Sequence, residues 1–150
     1  MLKDSKFKQG IYTPINREKY IGKWPIVYRS AWEFKFMCFL DKNTSIKKWA
    51  SESLSIPYLN PVTGKPTKYY PDFLYTYVNS SGTEITELCE IKPYKQTIEP
   101  KISKNKKKKT ILTEMRVWLV NSAKWKFAQE YCKTRNINFR IITEKELNIF

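Results

Sequence analysis

Two β-prone runs joined by a short turn constrain this chain more than any other feature. Lys68 to Val78 reads KYYPDFLYTYV and Glu84 to Lys92 reads EITELCEIK, with Asn79-Ser80-Ser81-Gly82 between them and Pro93 closing the second. Aromatic and β-branched residues favour a pleated surface, and an Asn/Ser/Gly cluster between two such runs marks a hairpin. A helix is expected before it. Ser30 is an N-cap with Glu33 three residues on, a capping box, and Trp32, Phe36, Phe39 and Leu40 follow at helical spacing up to Asp41-Lys42-Asn43. Ile46 to Ser53 predicts a strand, and Pro57 to Pro66, rich in Pro, Asn and Gly, predicts a loop. Thr113 to Arg135 is helical in composition, with a break expected near Asn121; Trp125, Ala128 and Cys132 share one stripe. Asn138 to Ile142 predicts a late strand, and Thr143 with Glu146 a second capping box opening a short helix. The order α-β-β-β-α-β predicts an α/β (α+β) fold with a mixed central sheet flanked by helices.

With 150 residues the chain is expected to be one domain, 1–150, with residues 1–29 as an extended arm and 94–110 as a basic loop. The arm contains Gly10-Ile11-Tyr12 and Tyr20-Ile21-Gly22, which mimic the GIY-YIG nuclease signature. The gap of seven residues is tight for that fold, Pro14 sits where a strand should pair, and that family's usual His is absent. Cys38, Cys89 and Cys132 form no CxxC pair, which argues against zinc and for reduced, buried thiols. No apolar stretch is long enough to span a bilayer, so no membrane partner is expected.

The charge narrows the function. Lys and Arg total 28 against 14 Asp and Glu, a formal net charge of +14, and histidine is absent. Imidazole-dependent triads, HNH-type nucleases and HExxH hydrolases are thereby excluded. The excess charge points to a polyanion, nucleic acid first, through phosphate contacts and counterion release. It peaks at KISKNKKKK, where Lys101, Lys104, Lys106, Lys107, Lys108 and Lys109 form either a solvated loop or a DNA clamp. Lys124 is a further candidate phosphate contact.

Asp72 lies in the first hairpin run, and Glu90-Ile91-Lys92 closes the second, 18 residues later. Alternation places Glu90 and Lys92 on one face and Ile91 in the core, and pairing of the runs can bring Asp72 beside Glu90. Two carboxylates at a sheet edge suit Mg²⁺ or Mn²⁺, and the adjacent lysine can activate a water or offset phosphate charge. Taken singly, each piece has a plain structural reading: an Asp after Pro is a turn residue, and ExK is ordinary surface patterning on a strand. Trp49 and Trp125 read as core, Tyr69 and Tyr70 as hairpin packing, and Glu52 as a supporting acid or an exposed one.

The set Pro71-Asp72 with Glu90-Ile91-Lys92 resembles the PD-(D/E)xK nuclease superfamily. That superfamily adds an acid from the first core helix, and Glu33 stands where one belongs. Tyr28-Arg29-Ser30-Ala31-Trp32-Glu33, Tyr69-Tyr70-Pro71-Asp72-Phe73, Glu90-Ile91-Lys92-Pro93 and Asn121-Ser122-Ala123-Lys124-Trp125 are similar to segments of TnsA-like endonucleases and of the head completion nucleases of T-even-type bacteriophages. TnsA itself carries Gln where Glu90 stands, so this sequence follows the more general superfamily pattern.

The resemblance implies a restriction-endonuclease-like core and a Mg²⁺-dependent deoxyribonuclease. Glu33, Asp72 and Glu90 would bind metal, with Lys92 completing the catalytic set. It implies work late in phage assembly on packaged DNA before tail joining, in the host cytoplasm or virion, with portal, neck and head proteins as partners. Monomer and homodimer stay open. The alternative is a non-catalytic DNA-end or portal-binding structural protein that keeps a nuclease fold.

Overall fold

The hairpin of the two β-prone runs forms the middle of the molecule. In the computed structural model, which describes residues 9–148, the chain runs through β1 (Gly10–Tyr12), β2 (Ile26–Tyr28), α1 (Ala31–Lys42), β3 (Ile46–Ser51), β4 (Ile56–Leu59), β5 (Pro66–Tyr69), β6 (Phe73–Val78), β7 (Glu84–Ile91), α2 (Lys108–Lys133), β8 (Asn138–Ile142) and α3 (Glu144–Leu147). A mixed sheet has the order β3-β6-β7-β8. β3 and β7 pair antiparallel with β6, and β8 runs parallel to β7 after the α2 crossover. Among the described residues, no helix is long and apolar enough to cross a membrane.

Alternation along β7 divides the core in two. Cys89 and Ile91 join Trp49, Phe73 and Tyr75 beneath Trp32, Phe36, Met37 and Leu40 of α1. Leu88 faces the other way, onto Trp125, Ala128 and Cys132 of α2 and onto Ile56, Tyr58 and Tyr69 of the β4–β5 hairpin. The three cysteines are free thiols, with Cys89 and Cys132 buried and Cys38 half-buried.

Several expectations need correction. The run Lys68–Val78 is not one strand: β5 ends at Tyr69, β6 begins at Phe73, and Asp72 lies in the bend between them. Pro71 has no N–H to donate to a ladder, which accounts for the interruption. The Pro57–Pro66 loop is instead the β4–β5 hairpin, paired from Ile56↔Tyr69 to Leu59↔Pro66. The helix expected from Thr113 starts at Lys108 and passes Asn121 unbroken, so the basic loop gives its last residues to the first turn of α2.

The arm is also more structured than expected. β1 pairs with β2, not with Tyr20-Ile21-Gly22, so the GIY-YIG reading fails. Tyr12, Tyr20 and Ile26 are buried in the core. The buried Asp41 at the end of α1 holds the arm, accepting bonds from Tyr12 Oη (2.8 Å), Ile15 N (2.7 Å) and Asn16 N (2.9 Å). Burial raises its carboxyl, but these donors prevail and hold it below the usual range.

Candidate active site

The register of the central hairpin builds the site. Phe73 pairs with Cys89, so Asp72, one residue earlier, stands across from Glu90. Asp72 Oδ2 accepts the Ile91 N–H at 2.8 Å, and the Asp72 carbonyl accepts the Glu52 N–H at 2.9 Å. Backbone donors from β7 and from the residue after β3 therefore hold the residue despite its place in a bend.

Glu90 is buried on the α2 side of β7. Its Oε2 accepts the Tyr69 hydroxyl at 2.8 Å and the indole N–H of Trp125. Lys92 follows directly after β7 and is anchored by its own N–H to the Ile142 carbonyl at 2.9 Å. Lys124, next to Trp125 on α2, places its ammonium 5.5 Å from the centre of the Tyr69 ring.

Glu33 enters from the first turn of α1. The Ser30 hydroxyl caps its N–H at 3.1 Å, but its carboxylate accepts from Arg29 N at 2.9 Å and not from Ser30. The expected capping box is thus only half made, whereas the one at Thr143–Glu146 is complete. Arg29 also pairs with Glu52 at 3.2 Å, and Glu52 holds a left-handed backbone, φ 48°. A non-glycine residue with such a φ is uncommon and is often found at functional sites.

Electrostatics tie the groups together. Burial, then the charges of Glu90 and Glu33, push the Asp72 carboxyl well above its ordinary range, against the Ile91 N–H and Lys92. Burial and the Glu52 charge likewise raise Glu33, with the Arg29 N–H, Arg29 and Lys92 opposing. Crowded carboxylates with raised pKa values are a recurrent mark of functional sites.

The donor set suits a hard divalent cation. The hydrogen bonds among described residues occupy Oδ2 of Asp72 and Oε2 of Glu90, leaving Oδ1 and Oε1 for a metal. The third carboxylate is not brought in: among the described residues, no three acidic or cysteine side chains close into a metal cage. The carboxylate of Glu33 is turned back to Arg29.

Of the basic residues singled out, Lys106 is engaged with Glu114 at 2.9 Å, and Lys108 and Lys109 lie in the first turn of α2. Reading Trp125 and Tyr69 as packing residues captured their burial and missed their bonds to Glu90. Each carries one polar atom on an apolar body, and such an atom takes a partner when buried. That requirement was the available signal.

A mixed sheet with a carboxylate pair, Glu90 buried and Asp72 half-buried, and a lysine at one end defines a restriction-endonuclease-like nuclease fold. The family described as TnsA-like endonuclease N terminal matches residues 43–144, more than half of the chain, and the chain belongs to that family. The matched span contains Asp72, Glu90, Lys92 and Lys124 and excludes Glu33. The head completion nuclease of Enterobacteria phage T4 is 41% identical over 142 residues, covering 92% of each chain.

Proposed function

We propose that the chain is a Mg²⁺- or Mn²⁺-dependent DNA endonuclease of the PD-(D/E)xK class that acts in phage head completion. The observation that carries the chemistry is Asp72, whose carboxyl is held well above its ordinary range beside Glu90 and Glu33, with Lys92 as the opposing cation. The task in head completion is supported by the name of the T4 relative. Packaged DNA is the proposed substrate, and portal, neck and head proteins are the proposed assembly partners.

Asp72 and Glu90 hold the metal in this reading, and Glu33 supports them from α1. A bound divalent ion supplies Lewis acidity to the phosphoryl group and lowers the pKa of a bound water. Lys92 orients the attacking water and offsets charge developing on the phosphate. Tyr69 and Trp125 fix the Glu90 carboxylate, and Arg29 restrains Glu33 and Glu52.

The test is cleavage of linear and circular DNA by the purified full chain with Mg²⁺ and with EDTA, for wild type and Asp72→Ala. Cleavage should require the metal and fall by about a thousandfold in the variant. DNA affinity should persist. Equal cleavage by Asp72→Ala and wild type contradicts the assignment and favours a structural role.

A further inference from the structure

A cavity that Lys124 borders is not used by the chemistry above. It lies between the β4–β5 turn and the middle of α2 and has a volume of about 320 Å³. Asn60 and Thr63 border it on the hairpin side, and Arg116, Val117, Asn121 and Lys124 on the helix side.

Asn121 is the informative residue. It is only 5% exposed, lines this cavity, and forms no side-chain hydrogen bond with any described residue. A carboxamide offers two donors and an acceptor, and buried polar groups of this kind are ordinarily partnered. With this amide on its wall, reachable from solvent, and two cations at its rim, the cavity offers polar contacts to an anionic occupant.

Its position specifies the occupant further. Asn121, Lys124 and Trp125 fall at i, i+3 and i+4 on α2 and so share one face. Trp125 bonds Glu90, and Lys124 stands over Tyr69, which bonds the same carboxylate. Asn121 therefore lies about one helical turn, ~5.4 Å, along α2 from Trp125, the residue that bonds Glu90. A volume near 320 Å³ is at the small end for ligand pockets, of the order of a single nucleotide and not a duplex.

We propose that this cavity is a nucleotide subsite. It takes one nucleotide adjoining the scissile bond, turned out of base pairing, with its phosphates on Arg116 and Lys124 and its base edge on Asn121. The inference rests on the DNA-endonuclease reading. An Asn carboxamide matches the donor–acceptor pair on a base edge, and an open recess of this size can take a single unstacked base. The preferred substrate is then DNA with a frayed end or an unpaired arm.

The experiment compares steady-state cleavage of three DNAs by the full chain with Mg²⁺: a blunt duplex, the same duplex with a short unpaired arm, and that arm made abasic. Wild type should show a KM about tenfold lower on the armed duplex than on the blunt one, and the abasic arm should lose that advantage. Asn121→Leu should raise KM on the armed duplex to the blunt value with kcat unchanged. Asn121→Gln should recover part of the difference.

Equal KM values for wild type on all three DNAs overturn the subsite while leaving the nuclease reading intact. Unchanged kinetics in Asn121→Leu overturn it too. If that variant fails to fold, the abasic comparison with wild type decides alone. Absence of cleavage on every DNA refutes the nuclease reading itself, and the subsite with it.

Discussion

The indole N–H of Trp125 on α2 donates to Oε2 of Glu90 on β7, the same oxygen that accepts the Tyr69 hydroxyl. A helix and a hairpin outside the central sheet thereby fix one oxygen of a buried carboxylate and leave its other oxygen without a protein donor among the described residues. Packing of α2 against the sheet and geometry of the site are one interaction.

Trp125→Phe should separate the two roles. It keeps most of the apolar volume and removes the donor. Supporting hydrogen bonds of this kind typically change metal affinity or activity by about 10–100-fold. A Mg²⁺ titration of cleavage should show a loss of that size, with a drop of only a few degrees in Tm. Tyr69→Phe should act in the same direction, and the double variant should be non-additive because both donors share one acceptor.

Asp72→Asn should be inactive yet more stable without metal. The folded Asp72 carboxyl lies above its unfolded pKa, so ionising it at neutral pH disfavours the native state. Asn keeps an acceptor for the Ile91 N–H and removes the charge. Melting in EDTA at pH 7 should show a Tm raised by roughly 2–5 °C. The advantage should vanish below about pH 4, where the carboxyl is protonated in both states.

Asp41 should show the opposite sign. Its folded pKa is depressed, so its contribution is fully present above the unfolded pKa of about 3.9 and is lost as pH falls through the folded value. Asp41→Asn leaves some of the donors on Tyr12, Ile15 and Asn16 without a good acceptor. It should cost about 3 kcal/mol at pH 7. Acid titration of stability should show the difference from wild type shrinking only at strongly acidic pH.

The lysine run should govern affinity, not turnover. Lys108 lies about 24 Å along α2 from Lys124 at 1.5 Å per residue, roughly seven base pairs of duplex. The start of α2 also has no acidic residue in its first turn and no side-chain cap, so its positive dipole end adds to Lys107, Lys108 and Lys109. Changing Lys104, Lys107, Lys108 and Lys109 to Gln should reduce the slope of log affinity against log salt by about 3–4. Turnover at saturating DNA should be unchanged.

The legible parts of the chain were those with strong local signals. Ser30 and Thr143 start helices where expected, Pro93 follows the end of β7, and Asn79–Gly82 turns the hairpin. The pairing of Asp72 with Glu90 was legible because strand alternation and one turn determine it.

The β4–β5 hairpin was not, since Pro57, Pro61, Gly64 and Pro66 punctuate strands only four residues long. Nor was the turning of Glu33 toward Arg29, because a carboxylate at that position can reach either of two adjacent N–H groups. Asn121 looked like a helix break because its side chain competes with the backbone. In the fold that side chain lies against a cavity, and the helix continues through it.

The most direct test of the account is where a divalent ion binds. Crystals of the full chain soaked in Mn²⁺ should show anomalous density at the Asp72 and Glu90 carboxylates, and Asp72→Asn crystals should lose it. Mn²⁺ absent from that carboxylate pair in wild type, under conditions where the enzyme cleaves DNA, would contradict the account.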